Sequence, residues 1–222
     1  MLDQVWFPLY LTFQIAFISS FLVLCSGVII AYIFARRNFW GKKFAEIFIT
    51  LPLVLPPTVI GYLLILLMGK NGFIGHIIYN VLGTGIMFTW QAAVIAAYTV
   101  SLPLMVRTAQ AAIEAVDTEL EYAAYILGRS EIETALIVTL PLAKRGILAG
   151  LVLSFARAIG EFGATFMLAG NIQGKTNTMS ISIYNAFEAG NNELAQVLVL
   201  ILILMSILAI ILTGRFVGKL EA

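Results

Sequence analysis

Charged residues are scarce in this sequence. Only 11% of its 222 residues are Asp, Glu, Lys or Arg, whereas 61% are hydrophobic. Soluble domains carry roughly 25% charged residues, so this composition excludes an ordinary soluble domain and indicates an integral membrane protein. The formal net charge of +1 gives no information about partners. We therefore expect membrane lipid around the chain and no nucleic-acid partner.

The residue types that form disulfides and hold metals are nearly missing. Cys25 is the single cysteine, which excludes an internal disulfide, and His76 is the single histidine, which argues against a histidine-based metal site. No Gly-x-x-x-x-Gly-Lys-Ser/Thr loop is found, so the chain is not expected to bind ATP by itself. The apolar stretches hold no cluster of His, Cys or paired carboxylates, which argues against a membrane-embedded enzyme. We predict no catalytic residue, no metal and no cofactor.

Five apolar stretches are each long enough to cross a bilayer, which takes about 20 helical residues. We predict an all-α membrane protein in which residues 1–222 form one transmembrane domain. The first crossing is placed after Pro8, with Trp6–Pro8 along the membrane interface, because the uncharged region is longer than one crossing needs. The glycine-rich linker before the third crossing is predicted to hold a short helix, and the polar linker before the fifth is predicted to hold a second short helix or a re-entrant turn. The predicted crossings are residues 9–35, 45–68, 86–106, 146–168 and 194–213.

The distribution of Lys and Arg predicts the orientation. Ten of these residues follow the first, third and fifth crossings, whereas only Lys70 and Lys175 fall on the opposite side and Arg157 lies within the fourth crossing. Cytoplasmic loops carry the excess of positive charge. The N-terminus is therefore predicted outside and the C-terminus in the cytoplasm, which requires an odd number of crossings.

A polar stretch, residues 117–141, interrupts the apolar pattern and is called the coupling segment below. Asp117 or Thr118 can cap a helix here, and the letters "TELE" fit a capping box in which Glu121 reaches back to the first turn. Gly128 suits a left-handed turn at the end of that helix, and Ser130 with Glu133 predicts a second capping box. The second helix is predicted to end by Pro141. Local signals alone leave two alternatives: a hairpin resting on the membrane surface, or a corner that docks on a cytoplasmic partner.

The coupling segment resembles the "EAA" loop of ABC importer permeases. The glutamate here stands two residues before the alanine pair, and a valine replaces the usual isoleucine. The resemblance implies a helix-turn-helix that docks on an ATP-hydrolysing subunit. It also implies a bacterial inner or plasma membrane location, two ATP-binding subunits, and a second permease copy. The residues that carry it are Glu121, Ala123, Ala124, Gly128, Val138, Leu140 and Pro141.

Three further stretches are similar to the permeases of bacterial molybdate transporters. They are "LPLVLPPTVIGYLLILLMGKNGFIG" (51–75), "SLPLMVRTAQAAIEAVD" (101–117) and "FARAIGEFGATFMLAGNIQGKTNT" (155–178). The motif "ARAIGEFGA" is also similar to sulfate and thiosulfate permeases, so molybdate, tungstate and sulfate all stay open as substrates. The family resemblance implies that a separate extracytoplasmic protein selects the oxyanion. An ATP-independent channel or a membrane scaffold is the alternative of another class, and it leaves the coupling segment without a purpose.

Arg157 and Glu161 are charged residues inside the predicted fourth crossing, where each charge costs roughly 2.5–3.5 kcal/mol or more. Their spacing places them on one face of a continuous helix, as a neutral pair. Two interpretations stay open: a buried pair that fixes helix packing, or a pair that lines or gates the translocation path. Pro56 and Pro57 likewise predict either a kinked second crossing or a broken helix beside the path.

Overall fold

The computed structural model describes residues 2–218, and all regular secondary structure in that range is helical. A π-helical turn (Ala135–Thr139) joins the seventh helix to the eighth. The helices are α1 (Leu2–Arg36), α2 (Lys42–Val54), α3 (Pro57–Met68), α4 (Phe73–Leu82), α5 (Trp90–Glu114), α6 (Thr118–Ile126), α7 (Glu131–Thr134), α8 (Leu140–Ile159), α9 (Gly163–Ala169), α10 (Met179–Glu188) and α11 (Asn192–Gly218).

Four helical stretches of the described chain are long and apolar enough to cross a membrane. The successive helices α3 and α4 meet at an angle of 50° and together pass the same test, which raises the number of crossings to five if the bent pair forms one. The five predicted crossings therefore stand at the upper end of this range. The four long stretches are Val5–Arg36, Trp90–Glu114, Glu131–Ile159 and Asn192–Ile211.

The first helix begins earlier than the sequence predicts. α1 starts at Leu2 and continues through Pro8, so the prediction that Trp6–Pro8 lies along the interface before the helix is wrong. Proline fixes φ near the helical value, and its missing N–H removes only the bond to the carbonyl of residue 4, in the first turns of the helix. The ring of Pro8 is buried against the rest of the molecule.

The predicted second crossing, 45–68, is divided into two helices. α2 ends at Val54, and α3 begins at Pro57, with Leu55 and Pro56 extended between them. Two successive prolines remove two backbone donors and disfavour helical backbone before each of them, so they break the helix here. Pro52, in contrast, is accommodated inside α2. The broken helix is thus the alternative that the structure supports.

The third and fourth crossings also differ from their predicted bounds. α5 begins at Trp90 rather than at residue 86 and continues to Glu114, well beyond residue 106. The predicted fourth crossing, 146–168, is wrong as a single helix, because α8 ends at Ile159 and α9 begins only at Gly163. The predicted fifth crossing corresponds to α11, which contains residues 194–213, and the Asn191 side chain accepts a hydrogen bond from Leu194 N–H at 3.1 Å. The two predicted short helices are present as α4 and α10.

The core is built around α5, against which α1 and α8 pack. Small residues permit this close approach. A Cβ added to Gly27 of α1 would lie 2.7 Å from Met105 Cγ, and one added to Gly146 of α8 would lie 2.2 Å from Ala112 Cβ. Ser154 of α8 donates a hydrogen bond to the Ser101 carbonyl of α5 at 3.2 Å. α8 is therefore held close to α5 along a face of small residues.

The orientation is tested by labelling with a membrane-impermeant thiol reagent, after Cys25 is replaced by serine. Cysteines at Asn71 and Lys175, both exposed, should react from outside intact cells. A cysteine at Ser130 should react only after the membrane is opened, because the charge asymmetry puts the coupling segment inside. Asn177 is a poor position for this test because its side chain is buried. Reaction at Ser130 from outside would contradict the orientation.

Candidate functional site: the coupling segment and two meeting helix breaks

The coupling segment contains the helix, glycine corner and second helix that its sequence predicts. Asp117 caps α6 by accepting a hydrogen bond from Glu119 N–H at 2.9 Å. Gly128 has φ of +82°, a conformation that glycine adopts without steric cost. The N–H groups of Gly128 and Arg129 then bind the carbonyls of Tyr125 and Ala124 at 2.9 and 3.1 Å. This is a Schellman motif, which ends α6 and turns the chain sharply.

The start of α7 is fixed by the predicted capping box. Ser130 N–H donates to Glu133 Oε2 at 2.9 Å, and Glu133 N–H donates to Ser130 Oγ at 3.3 Å. The backbone and side-chain hydrogen bonds from Ser130 lower the pKa of Glu133. A lowered pKa in the folded state means that this stabilisation is present above the ordinary glutamate pKa. It is lost as the pH falls through the lowered value.

Glu121 does not reach back to the first turn of α6, so that part of the prediction is wrong. Asp117 occupies the capping position, and Glu121 turns inward instead, where only 5% of the residue is exposed. Its Oε1 accepts hydrogen bonds from Arg36 Nε at 3.0 Å and from Thr139 Oγ1 at 2.6 Å. One carboxylate therefore connects α6 to the end of α1 and to the π-helical turn before α8.

The end of α1 holds the coupling segment at two places. Arg36 also donates through Nη2 to the Val116 carbonyl at 2.9 Å, so its guanidinium binds both the entrance to α6 and Glu121. Arg37 pairs with Glu131 at the start of α7. The Arg36–Glu121 pair is largely buried, whereas the Arg37–Glu131 pair is exposed. The first pair is therefore expected to matter far more to stability than the second.

Pro141 does not end the second helix, contrary to the prediction. The backbone is helical without interruption from Glu131 to Ile159. Just before the proline, Leu140 N–H binds the carbonyl of Ala135, five residues back, as in a π-helix. This wider turn rearranges the backbone bonding next to Pro141, whose missing N–H would otherwise break the regular α-helical pattern. Pro141 thus lies inside a long helix rather than at its end.

The outer surface of the corner is apolar, although the orientation predicts that it faces the cytoplasm. Ile126 and Leu127 are 86% and 82% exposed. A group of large apolar side chains exposed to water marks an interaction site. Of the residues that carry the resemblance, Ala123 and Gly128 are exposed beside this group, Ala124 is half-buried, and Ser130 is also exposed. The coupling surface, as it is called below, consists of Tyr122, Ile126, Leu127 and Ile132, all exposed.

The second candidate region is the break between α8 and α9, where Arg157 and Glu161 meet. Arg157 Nη1 lies 2.8 Å from Glu161 Oε2. Glu161 does not continue the helix that holds Arg157, because α8 has ended at Ile159. Its other oxygen, Oε1, accepts a hydrogen bond from Ala164 N–H at 2.7 Å, in the first turn of α9. The Glu161 side chain is 2% exposed and that of Arg157 is 31% exposed, so only the arginine reaches an open surface.

The break between α8 and α9 lies against the break between α2 and α3. A Cβ added to Gly163 would lie 3.0 Å from Pro57 Cβ and 3.2 Å from Thr58 N. A Cβ added to Gly61 would lie 2.6 Å from Met167 Cβ, so α3 and α9 are also in close contact. Pro56 and Pro57 are exposed. Non-helical backbone at membrane depth is tolerated only where it is buried in protein or lines a water-filled cavity.

Sequence reasoning missed the partners of Glu121. In the sequence, Arg36 served only as one of the positive charges that predict the orientation, and nothing marked Thr139 as a hydrogen-bond partner of Glu121. The break at Gly160 was also missed, because the residues on both sides of it are apolar or small. A glycine followed by a charged residue inside an apolar stretch was the available signal.

The comparisons with known proteins agree with this geometry. Residues 27–222 match the family model described as binding-protein-dependent transport system inner membrane component. The chain is 42% identical over 204 residues to the molybdenum transport system permease protein ModB of Haemophilus influenzae, covering 91% of this chain and 89% of that protein.

ModB of Escherichia coli (strain K12) is 40% identical over 191 residues, which cover 86% of this chain and 83% of the relative. A solved structure of a bacterial alginate ABC transporter, in complex with a periplasmic protein bound to alginate pentasaccharide, has a similar fold. Its TM-score is 0.80 at 14% sequence identity, and the match covers 98% of this chain and 79% of that chain.

Proposed function

Because the chain belongs to the family of binding-protein-dependent transport system inner membrane components, we propose that it is the permease of an ABC importer for molybdate. The observation that carries this proposal is the 40–42% identity to two molybdenum permeases over most of the chain. The chain is a multi-pass membrane protein and a transport subunit, not an enzyme. ATP is hydrolysed on a partner subunit, and an extracytoplasmic protein delivers the oxyanion.

The coupling segment is the proposed docking site for the ATP-hydrolysing subunit. Its corner presents the apolar coupling surface, and its two helices are tied to α1 through Arg36 and Arg37. An apolar surface held on rigid helices suits insertion into a groove of a partner. In this arrangement Ala123, Ala124, Gly128 and Ser130 form the corner. Glu121 anchors it from inside, and Pro141 belongs to the helix that leaves it.

The meeting helix breaks are proposed to line the translocation path. Pro56 and Pro57 leave the backbone between α2 and α3 without regular bonding, and Glu161 caps the first turn of α9 beside them. Arg157 is the one charge of its pair that reaches an open surface, and it is the group that an anion would meet. A full path needs a second permease copy, so we include a homodimer with two ATP-binding subunits in the proposal.

The proposed function is tested by reconstitution with the cognate ATP-hydrolysing subunit and oxyanion-binding protein in liposomes. ATP turnover and uptake of labelled oxyanion are measured with molybdate, tungstate and sulfate. We expect molybdate to stimulate ATP turnover and to accumulate inside the vesicles. Stimulation of ATP turnover by sulfate alone would show that the transported substrate is sulfate rather than molybdate. Oxyanion flux that is equally fast without ATP would favour a channel.

The docking role predicts a loss of assembly when Gly128 is replaced by valine. A β-branched residue is strongly disfavoured at positive φ, so the corner between α6 and α7 should deform while the membrane helices stay intact. We expect normal membrane insertion but at least about tenfold weaker co-purification of the ATP-hydrolysing subunit. Gly83→Val, at another glycine with positive φ but outside the coupling segment, is the matched control. Normal assembly and transport by Gly128→Val would contradict the docking role.

A further inference from the structure

A groove of about 240 Å³ runs between α1 and α2, close to the place where the chain turns from one helix into the other. The orientation puts this end of both helices in the cytoplasmic leaflet of the membrane. Phe48 is 75% exposed and Ile33 is 39% exposed, so the groove is open to its surroundings. All of the side chains that line it are apolar: Ile30, Ile33, Phe34, Ala45, Phe48 and Ile49.

Basic side chains stand at the end of the groove where α1 passes into α2. Arg37 N–H binds the Ile33 carbonyl at 2.9 Å, so Arg37 lies one helical turn beyond Ile33, on the same face of α1. Lys42 begins α2 and lies one turn before Ala45, on the same face of that helix. Lys43 is exposed beside it. The apolar groove therefore ends at a cluster of positive charge.

The two lysines of this cluster are not neutralised by the protein. In the part of the chain that the structure describes, neither Lys42 nor Lys43 takes part in an ion pair, whereas Arg37 pairs with Glu131. Glu46, the acidic residue nearest in sequence, accepts a hydrogen bond from a side chain of α5 at 3.3 Å and is thereby turned toward α5. An anionic group at the end of the groove thus meets two ammonium groups without a countercharge.

The dimensions of the groove match those of one membrane leaflet. α2 rises about 10 Å between Lys42 and Ile49. The polar headgroup region of a leaflet is about 5–8 Å thick, and the acyl chains begin directly beneath it. A phosphate at the level of Lys42 therefore places the first part of an acyl chain beside Ala45 and Ile49. Trp40, which is fully exposed at the turn between the helices, is typical of this membrane interface.

We propose that the groove binds one anionic phospholipid of the cytoplasmic leaflet, with an acyl chain between α1 and α2 and the phosphate against Lys42 and Lys43. The apolar lining contacts the chain, and each lysine near the membrane surface attracts an anionic headgroup. The site differs from the general lipid surroundings of a membrane protein because it selects a lipid by headgroup charge at one defined place.

The bound lipid supports a helix that the chain itself packs only loosely. No residue of α2 is buried in the described chain. α2 leads directly into the break at Leu55 and Pro56. A lipid packed between α1 and α2 therefore holds the helix that carries one side of that break.

The headgroup contact is tested with the full-length chain in vesicles of equal phosphatidylglycerol and phosphatidylcholine with identical acyl chains. The protein is extracted in mild detergent, and native mass spectrometry measures the ratio of the two lipids that stay bound. We expect phosphatidylglycerol to be retained preferentially. Lys42→Gln should lower the ratio about fivefold, and Lys42→Gln with Lys43→Gln at least about tenfold. Lys144→Gln, which removes an exposed charge at the same end of the molecule but outside the groove, is the matched control and should change it less than about twofold.

The acyl-chain contact is tested separately by Phe48→Ala, which removes one wall of the groove and no charge. The retained phosphatidylglycerol should fall by about threefold or more. Phe17→Ala is the matched control, because Phe17 is 72% exposed and lies on α1 about 20 Å along the helix from the groove. It should leave the retained lipid unchanged.

Three results would overturn the proposal. An equal fall in Lys42→Gln and Lys144→Gln would show only a diffuse attraction of anionic lipid to the positive end of the molecule. Equal effects of Phe48→Ala and Phe17→Ala would show that no chain occupies the groove. Dissociation of a permease dimer by Phe48→Ala, with no loss of lipid, would assign the groove to a second copy. Both leaflets of the vesicles have the same composition, and no substrate is present, so the result depends on neither the orientation nor the transported ion.

Discussion

Replacing Arg36 with methionine is expected to release the coupling segment from the end of α1. The change leaves the buried Glu121 carboxylate with Thr139 as its remaining hydrogen-bond partner. Breaking a buried ion pair by removing one partner costs about 3–5 kcal/mol. The amide hydrogens of α6 should therefore exchange faster by about two orders of magnitude or more, since each 1.4 kcal/mol is about tenfold. Hydrogen exchange followed by mass spectrometry measures this directly.

The neighbouring arginine provides a matched control for that experiment. Arg37→Met removes the same charge from the next position, but its pair with Glu131 is exposed, with side-chain exposures of 60% and 41%. Exposed ion pairs contribute about 0–1 kcal/mol, so exchange in α6 should change little. The double variant Arg36→Met with Glu121→Gln removes both charges and keeps an acceptor for Thr139, so it should recover part of the protection. Equal effects of Arg36→Met and Arg37→Met would refute the anchoring role of Glu121.

The second large effect is expected at the helix breaks. Arg157→Leu leaves Glu161, whose side chain is 2% exposed, with Ala164 N–H as its remaining partner. The lost pair should cost about 3–5 kcal/mol and lower the yield of folded protein. Glu161→Leu should also lower the yield, because Ala164 N–H then loses its acceptor and Arg157 loses its countercharge. Yield is measured by size-exclusion chromatography with a fluorescent fusion.

A double variant separates packing from transport. Arg157→Leu with Glu161→Gln removes both charges while the glutamine oxygen still accepts from Ala164 N–H, so the folded yield should largely return. If the pair lines the path, as we propose, uptake stays impaired although the protein folds. Full recovery of uptake together with yield would show that the pair serves packing alone. A double variant with lower yield than either single variant would show that the two charges do not compensate each other.

The coupling segment was the part of this chain most open to prediction. Its signals are local: a capping residue, a glycine with positive φ and a capping box each act within a few residues. The direction in which Glu121 points was not predictable, because it depends on Arg36, which is 85 residues away along the chain. The continuation of the helix through Pro141 likewise depends on the π-helical turn before it, and no sequence pattern predicts that turn.

The apolar helices could be located from the sequence, but their continuity could not be predicted. The length of an apolar stretch identifies a crossing because the thickness of the bilayer sets how many apolar residues a helix needs. That length cannot distinguish a straight helix from an interrupted one. The contact between Pro57 and Gly163 is tertiary, and only the folded chain shows that the two breaks support each other.

The unbroken helix from Glu131 to Ile159 has the properties of a lever. It is about 43 Å long at 1.5 Å per residue, and its close contacts with α5 at Gly146 and Gly150 place a fulcrum nearer to the Arg157 end. The arm toward the corner is about 25 Å and the other about 17 Å. In the proposed docking role, a displacement of about 3 Å at the corner would therefore move the far end by about 2 Å in the opposite direction. Shifts of that size repack one helix against another, so the movement would reach the two helix breaks reduced in amplitude and reversed in direction.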